Sequence, residues 1–246
     1  MVHVARGGDG PLLVLLHGLG ATGSVWRGAV GSWPGAWAAV DLPGHGRSAP
    51  APGYSFGSLA ASVAAGLGSA GSGRAGSGPV AVLGHSLGGV VALTLASGWF
   101  GVDVRAVGGL GVKLRWTAEE LARAASAAAR PPRVFPTRDE AAAWAARLAG
   151  VPLDDSGVVE VDGGWRAALD PAAFGVGAPD VTGLLAVAKA PVVLATGEHD
   201  PLCPPGHLLA ARPDGVVLPG VGHNAHVERP ASIGPVLERL WGALTA

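Results

Sequence analysis

Cysteine occurs once in this 246-residue sequence, at Cys203, so it can form neither an intrachain disulfide framework nor a multi-cysteine metal site. Charge is also scarce. Asp, Glu, Lys and Arg make up only 14 % of the chain and leave a formal net charge of −1, too little basic surface for nucleic acid or a polybasic membrane contact. Apolar residues are abundant, with mean hydropathy +0.39, yet the chain lacks an uninterrupted apolar span of about 20 residues. The longest candidate, Pro79 to Phe100, is broken by Gly84, His85, Ser86, Gly88 and Gly89. "LLVLLHGLGA" near the start imitates the apolar centre of a signal peptide, but Asp9 precedes it and a buried strand explains the same letters. These absences predict a cytoplasmic protein with neither nucleic acid nor membrane as partner; a monomer or homodimer is expected, though no residue pattern sets the number of chains.

The chain does contain short apolar runs separated by glycine turns and helical stretches. Leu12–Leu16, Ala36–Val40, Val80–Leu83, Val104–Leu110, Pro191–Thr196 and Gly215–Leu218 read as strands. They are continuously apolar instead of alternating, as expected where both faces of a parallel sheet are covered. Helices are predicted over Phe56–Leu67, Leu87–Gly98, Gly206–Ala211 and Ala231–Leu244, and the alternation implies an α/β fold with crossover helices. Gly66 to Gly78, rich in Gly and Ser, reads as a surface loop. From Lys113 to about Ala188 the composition shifts to Ala, Arg and Trp with proline breaks. Thr117 and Glu120, then Thr137 and Glu140, each form a capping-box pattern that starts a helix. The expected organisation is a core of residues 1–112 and 189–246 with a helical cap inserted at 113–188.

The most informative stretch is "VAVLGHSLGGVVAL", Val80 to Leu93. A strand that reverses into a helix within a few residues strains the apex residue, here Ser86. Small neighbours at Gly84 and Gly88 let the helix approach the strands. The apex then projects above the carboxyl ends of the sheet, where α/β folds bind ligands, and the helix start aims backbone N–H groups at the same spot. A serine hydroxyl needs a base, and the base needs an acid to fix its tautomer. Both follow at later strand ends: Glu198-His199-Asp200 after "PVVLATG", and His223 and His226 within "VGHNAHVERP". The order serine, acid, histidine is that of the nucleophile-elbow hydrolases.

"HGLG" at 17–20, "DLPGHGRS" at 41–48, "GHSLGG" at 84–89, "GEHDPL" at 197–202 and "GHNAHVERP" at 222–230 together resemble the α/β-hydrolase superfamily, in particular its esterase-like members with a helical cap. The likeness covers the chain outside the cap. It implies a mostly parallel, doubly wound sheet, with Ser86 as nucleophile, Asp200 as acid (Glu198 as the fallback) and His223 as base. It also implies an oxyanion hole formed by the backbone N–H groups of Leu19 and Leu87. The implied activity is hydrolysis of a small-to-medium, largely hydrophobic carboxylic ester or thioester, without metal or organic cofactor. A C–C bond hydrolase, a lactonase or an aminopeptidase would use the same triad. His17, His45, His85 and His226 are expected to brace loops, and Cys203 to fill the core. Trp116, Trp144 and Trp165 in the cap are candidates for lining the substrate pocket.

A second function class also fits the letters. Gly18, Gly20 and Gly23 spell G-x-G-x-x-G after a strand, and Asp41 ends the next strand, near the offset expected for ribose recognition. This pattern would suit an NAD-dependent oxidoreductase. However, His17 intrudes between strand and glycines, and Asp41 runs into a Pro-Gly loop.

Overall fold

The computed structural model describes residues 1–68 and 78–246, so most of the Gly66–Gly78 stretch lies outside it. Seven strands form the main sheet: β1 Val4–Gly7, β2 Leu12–Leu16, β3 Ala36–Val40, β4 Val80–His85, β5 Val104–Leu110, β9 Val192–Gly197 and β10 Val216–Leu218. Their order is β1-β3-β2-β4-β5-β9-β10, and all pairs are parallel except β1 with β3. From β2 the chain crosses to β3 on one side, then returns to place β4 on the other. The carboxyl ends of β2 and β4 therefore flank a switch point, the usual ligand position in an open α/β sheet.

Each central strand contributes alternate residues to two apolar cores. Leu12, Val14 and Leu16 of β2, with Val80 and Val82 of β4, pack on one face against helices α1 (Phe56–Gly68) and α2 (Leu87–Leu95). Leu13, Leu15, Ala81 and Leu83 face the other way. There they meet Trp26, Trp33 and the buried stripe Val236, Leu237 and Leu240 of α8, Gly234–Thr245. With both faces buried, alternation disappears from the sequence and the runs are wholly apolar. All nine residues of α2 are buried, so it is apolar all round instead of amphipathic. Helix α6 (Pro205–Ala211) and the short α7 (Ala225–Glu228) follow β9 and β10.

The insertion contains the two helices that the capping boxes predict, α3 (Ala118–Ala128) and α4 (Arg138–Ala149), each with both reciprocal bonds of the box formed. It also contains a three-stranded antiparallel sheet that the helical expectation missed, in the order β6 (Val134–Phe135), β8 (Gly164–Ala167), β7 (Val158–Val161). Helix α5 (Val181–Val187) closes the insertion and packs against α2. Side-chain links tie the insertion to the core, among them a 2.9 Å bond between the Thr22 and Ser156 hydroxyls. Tyr54 Oη donates to Asp170 Oδ2 at 2.6 Å, and Arg27 pairs with Asp154 at 2.8 Å. Backbone bonds from Gly46 N to Ala168 O and from Asp170 N to Gly44 O reinforce the Tyr54 link.

Candidate active site

Every residue from Val80 to Ser97 is buried except Ser86, which is half-buried. Ser86 is also the sole non-glycine residue with positive φ among the described residues, at φ 50° and ψ −114°. Such a conformation costs on the order of 1–3 kcal/mol and persists only where the surroundings impose it. The reason is visible on both sides of the apex. A Cβ on Gly84 would overlap the Gly88 carbonyl, and one on Gly88 would overlap the backbone of Leu16 and His17, so helix and strands touch backbone to backbone. Ser86 N still bonds Leu110 O at 2.8 Å, which anchors the apex to β5 while the chain turns.

His223 sits in the loop after β10, and its Nδ1 donates to Asp200 Oδ2 at 2.9 Å. That bond leaves Nε2 of a neutral ring as the proton acceptor. Asp200 follows β9 and is buried; its other oxygen accepts the N–H groups of Leu202 (2.8 Å) and Cys203 (3.0 Å). Burial pushes the Asp200 carboxyl up, but the hydrogen bond and charge of His223 and the two N–H donors outweigh it and hold the pKa below the usual carboxylate range. Glu198 is exposed and bonds Gly220 N instead, so it is Asp200 that meets the imidazole. Ser86 and His223 share the wall of one cleft of about 580 Å³, and no hydrogen bond joins their side chains. Leu19 and Leu87 line a second cavity, of about 330 Å³, that also opens on Ser86.

Four buried histidines, His17, His45, His85 and His226, lie around this cleft. His85 Nε2 donates to the His223 carbonyl at 2.9 Å, and its ring lies 4.6 Å from that of His223. His17 donates from Nδ1 to Gly18 O and accepts Leu42 N–H at Nε2, joining the ends of β2 and β3. His45 donates to Pro43 O. His226 differs from its expected bracing role: its Nδ1 has no partner, and it packs by stacking on Trp26 (4.3 Å) and His85 (4.5 Å). The Cys203 thiol is pushed up to about 11, chiefly by burial, and is therefore protonated at neutral pH.

The three tryptophans expected at the pocket separate. Trp116 lines both cavities at Ser86. Trp144 faces a different hollow within the insertion, beside Arg133 and Phe135. Trp165 sits on β8 under the Arg138 guanidinium and borders neither cavity, because the unforeseen small sheet turns it away. Phe56, Val90 and Phe174 supply much of the apolar lining instead. Phe56 and Val90 carry no sequence signal beyond ordinary core residues.

The dinucleotide pattern loses its context. Gly23 opens a four-residue 3-10 turn, Gly23–Trp26, and not a helix able to receive a pyrophosphate. The Asp41 carboxylate is buried and already accepts the N–H groups of Gly23 (2.7 Å) and Arg47 (3.0 Å), so it is not free for a ribose. Among the described residues no group of three His, Cys, Asp or Glu side chains is placed to share a metal ion. No described helix is long and apolar enough to cross a membrane.

Comparison with known proteins agrees with this architecture. Pimeloyl-(acyl-carrier protein) methyl ester esterase of Aeromonas hydrophila subsp. hydrophila is 45 % identical over 100 residues, covering 39 % of this chain and 35 % of that protein. Lipase LipV of Mycobacterium tuberculosis is 40 % identical over 99 residues, 39 % of this chain and 36 % of the lipase. The chain thus matches about a third of the length of either relative. The crystal structure of E-2-(acetamidomethylene)succinate hydrolase superposes with a TM-score of 0.80 at 25 % identity, covering 100 % of this chain and 95 % of that one. The model of the alpha/beta hydrolase family matches residues 13–233, and with the sheet order and strained turn just described, the chain belongs to that family.

Proposed function

We propose that the protein is a serine hydrolase that cleaves small-to-medium, largely hydrophobic carboxylic esters or thioesters. One observation carries this assignment: His223, held by its hydrogen bond to buried Asp200, lines the same cleft as the strained, half-buried Ser86. Ser86 Oγ attacks the carbonyl carbon while His223 Nε2 takes its proton, and Asp200 stabilises the resulting imidazolium. The backbone N–H groups of Leu19 and Leu87 hold the oxyanion, and loss of one such donor costs about 10²–10³ in rate. Collapse of the tetrahedral intermediate breaks the bond to the alcohol or thiol, which leaves with the proton from His223. Water, deprotonated by the same nitrogen, then releases the acid and regenerates Ser86. The hydrogen bond between Oγ and Nε2 closes in the substrate complex, since such bonds are commonly long in the free enzyme. We take residues 1–112 and 189–246 as the catalytic core and 113–188 as the cap, in a cytoplasmic monomer or homodimer.

Ser86→Ala is the direct test, because alanine keeps the Cβ that the positive φ already accommodates. The variant should retain the wild-type urea midpoint and lose at least about 10³-fold in kcat on p-nitrophenyl butyrate. A serine-directed phosphonate should label Ser86 alone, and His223→Ala should block labelling. Wild-type turnover by the alanine variant would overturn the assignment.

A further inference from the structure

The two cavities at Ser86 differ in chemistry. The smaller is walled mainly by Phe56, Val90, Leu121, Phe174 and Val176, and Lys113 borders both, while His223, Asn224, Glu120, Arg123 and Arg147 belong to the larger. His223 belongs to the larger cleft alone. A departing oxygen or sulfur must lie within hydrogen-bond reach of the imidazole that protonates it, whereas the substituent on the acyl carbon need not. On the serine-hydrolase assignment above, the acyl group therefore enters the apolar cavity and the alcohol or thiol leaves along the cleft.

That cleft is positively charged although the chain as a whole is at −1. Lys113 is neutralised by its ion pair with Glu120. Arg123 pairs with Glu119 at 4.0 Å, with both side chains well exposed and Glu119 outside the cleft wall, and its charge also reaches Glu120. Arg147, in the last turn of α4, has no ion-pair partner among the described residues. Two guanidinium groups from different helices, α3 and α4, thus border the path of the leaving group, and the three cations of the cleft wall, with Lys113, outnumber its one acid, Glu120. We infer that the alcohol or thiol half of the natural substrate carries an anionic group, a carboxylate or a phosphate, and that Arg123 and Arg147 select for it. Guanidinium suits either anion, because its planar donors can engage two oxygens at once.

Matched butyrate esters test the inference: one of n-butanol, one of 4-hydroxybutanoate, which places a carboxylate on the leaving side, and one of 4-hydroxybutyl phosphate. Monobutyl succinate places the carboxylate on the acyl side. At low ionic strength at least one leaving-side anion should raise kcat/KM about 5–20-fold over the neutral ester, mostly through KM. The better of the two identifies the anion. The acyl-side anion should fall below the neutral ester. Near 0.5 M NaCl, and in Arg123→Gln/Arg147→Gln, the preference should vanish while turnover of the neutral ester stays within about twofold. Equal rates for all leaving groups, or a preference that survives the double variant, would overturn the inference while leaving the serine hydrolase intact. If the neutral ester is not hydrolysed either, it is the serine-hydrolase assignment that fails.

Discussion

Asp200 uses the two ends of its carboxylate differently, and that division predicts how the site responds to Asp200→Asn. Oδ1 accepts two backbone N–H groups, from Leu202 and Cys203, while Oδ2 faces His223 Nδ1. In asparagine the amide oxygen must keep the position between the two N–H donors, so the amide NH₂ turns toward His223. The ring then accepts at Nδ1 and carries its proton on Nε2, the nitrogen that should deprotonate Ser86. We expect kcat to fall about 10³–10⁴-fold with little change in KM or in unfolding midpoint, measured on p-nitrophenyl butyrate and in urea. A loss below tenfold would show that the orientation of His223 does not depend on Asp200. The positions of the candidate residues were legible because Ser86, Asp200 and His223 each follow a strand-like apolar run, whereas the serine between glycines is by itself a common pattern. Spacing alone left His223 and His226 unresolved; the contact with Asp200 separates them. Arg123 and Arg147 gave no sign in the sequence, since exposed arginines on a short helix look like an ordinary solvated face.

Elements were legible where burial is two-sided and long. Strands β2 through β5, and β9, announce themselves as apolar runs. Strand β1 does not, because "VARG" is short, half-exposed and carries Arg6. The small sheet of the insertion was hidden in alanine-rich surroundings, although "VVEVDGGWRA" contains the Asp-Gly hairpin signal between β7 and β8. The contacts that seat this insertion on the core are long-range, so no local pattern encodes them. Tyr54 Oη donates to Asp170 Oδ2 across 116 positions of sequence. Burial, and then the bond to Asp170, push the phenol up to about 12, so it remains the donor at any working pH. Tyr54→Phe should cost about 1–2 kcal/mol, since the acceptor is ionised but the pair is only partly buried. That corresponds to a fall of about 2–8 °C in Tm by scanning calorimetry, at 2–4 °C per kcal/mol for a chain of this size. An unchanged Tm would mean that the backbone bonds at Gly44 and Gly46 and the Arg27–Asp154 and Thr22–Ser156 links hold the insertion without the phenol.

At the scale of the whole molecule, the histidines behind the cleft make stability depend on pH. His17, His45, His85 and His226 are all buried beneath the carboxyl end of the sheet; His226 and His85 stack in sequence between Trp26 and His223, and His17 packs against His45. Burial is the main cause that lowers each pKa: to about 4 for His17, to about 3 for His45 and His226, and well below 6.5 for His85. Neighbouring imidazoles add to the effect for three of them, because a charge on one ring repels a charge on the next. In the unfolded chain each ring titrates near 6.5. Above about pH 7.5 neither state binds these protons and they leave stability unchanged. As pH falls below 6.5 the unfolded chain takes them up and the folded protein does not, so unfolding gains about 1.4 kcal/mol per pH unit for each ring. With four rings acting together, the limiting slope is about 5 kcal/mol per unit, continuing until His17 begins to protonate near pH 4. Against a total of about 5–15 kcal/mol for a folded domain, that slope brings acid unfolding to about pH 4–5. Urea midpoints taken every half unit from pH 8 to 4.5 should be flat at first and then fall steeply. The dependence corresponds to an uptake of three to four protons on unfolding at pH 5. A midpoint that stays level down to pH 5 would mean that these rings are hydrated or charged in the folded protein, and that the packing behind His223 is looser than the ring contacts indicate.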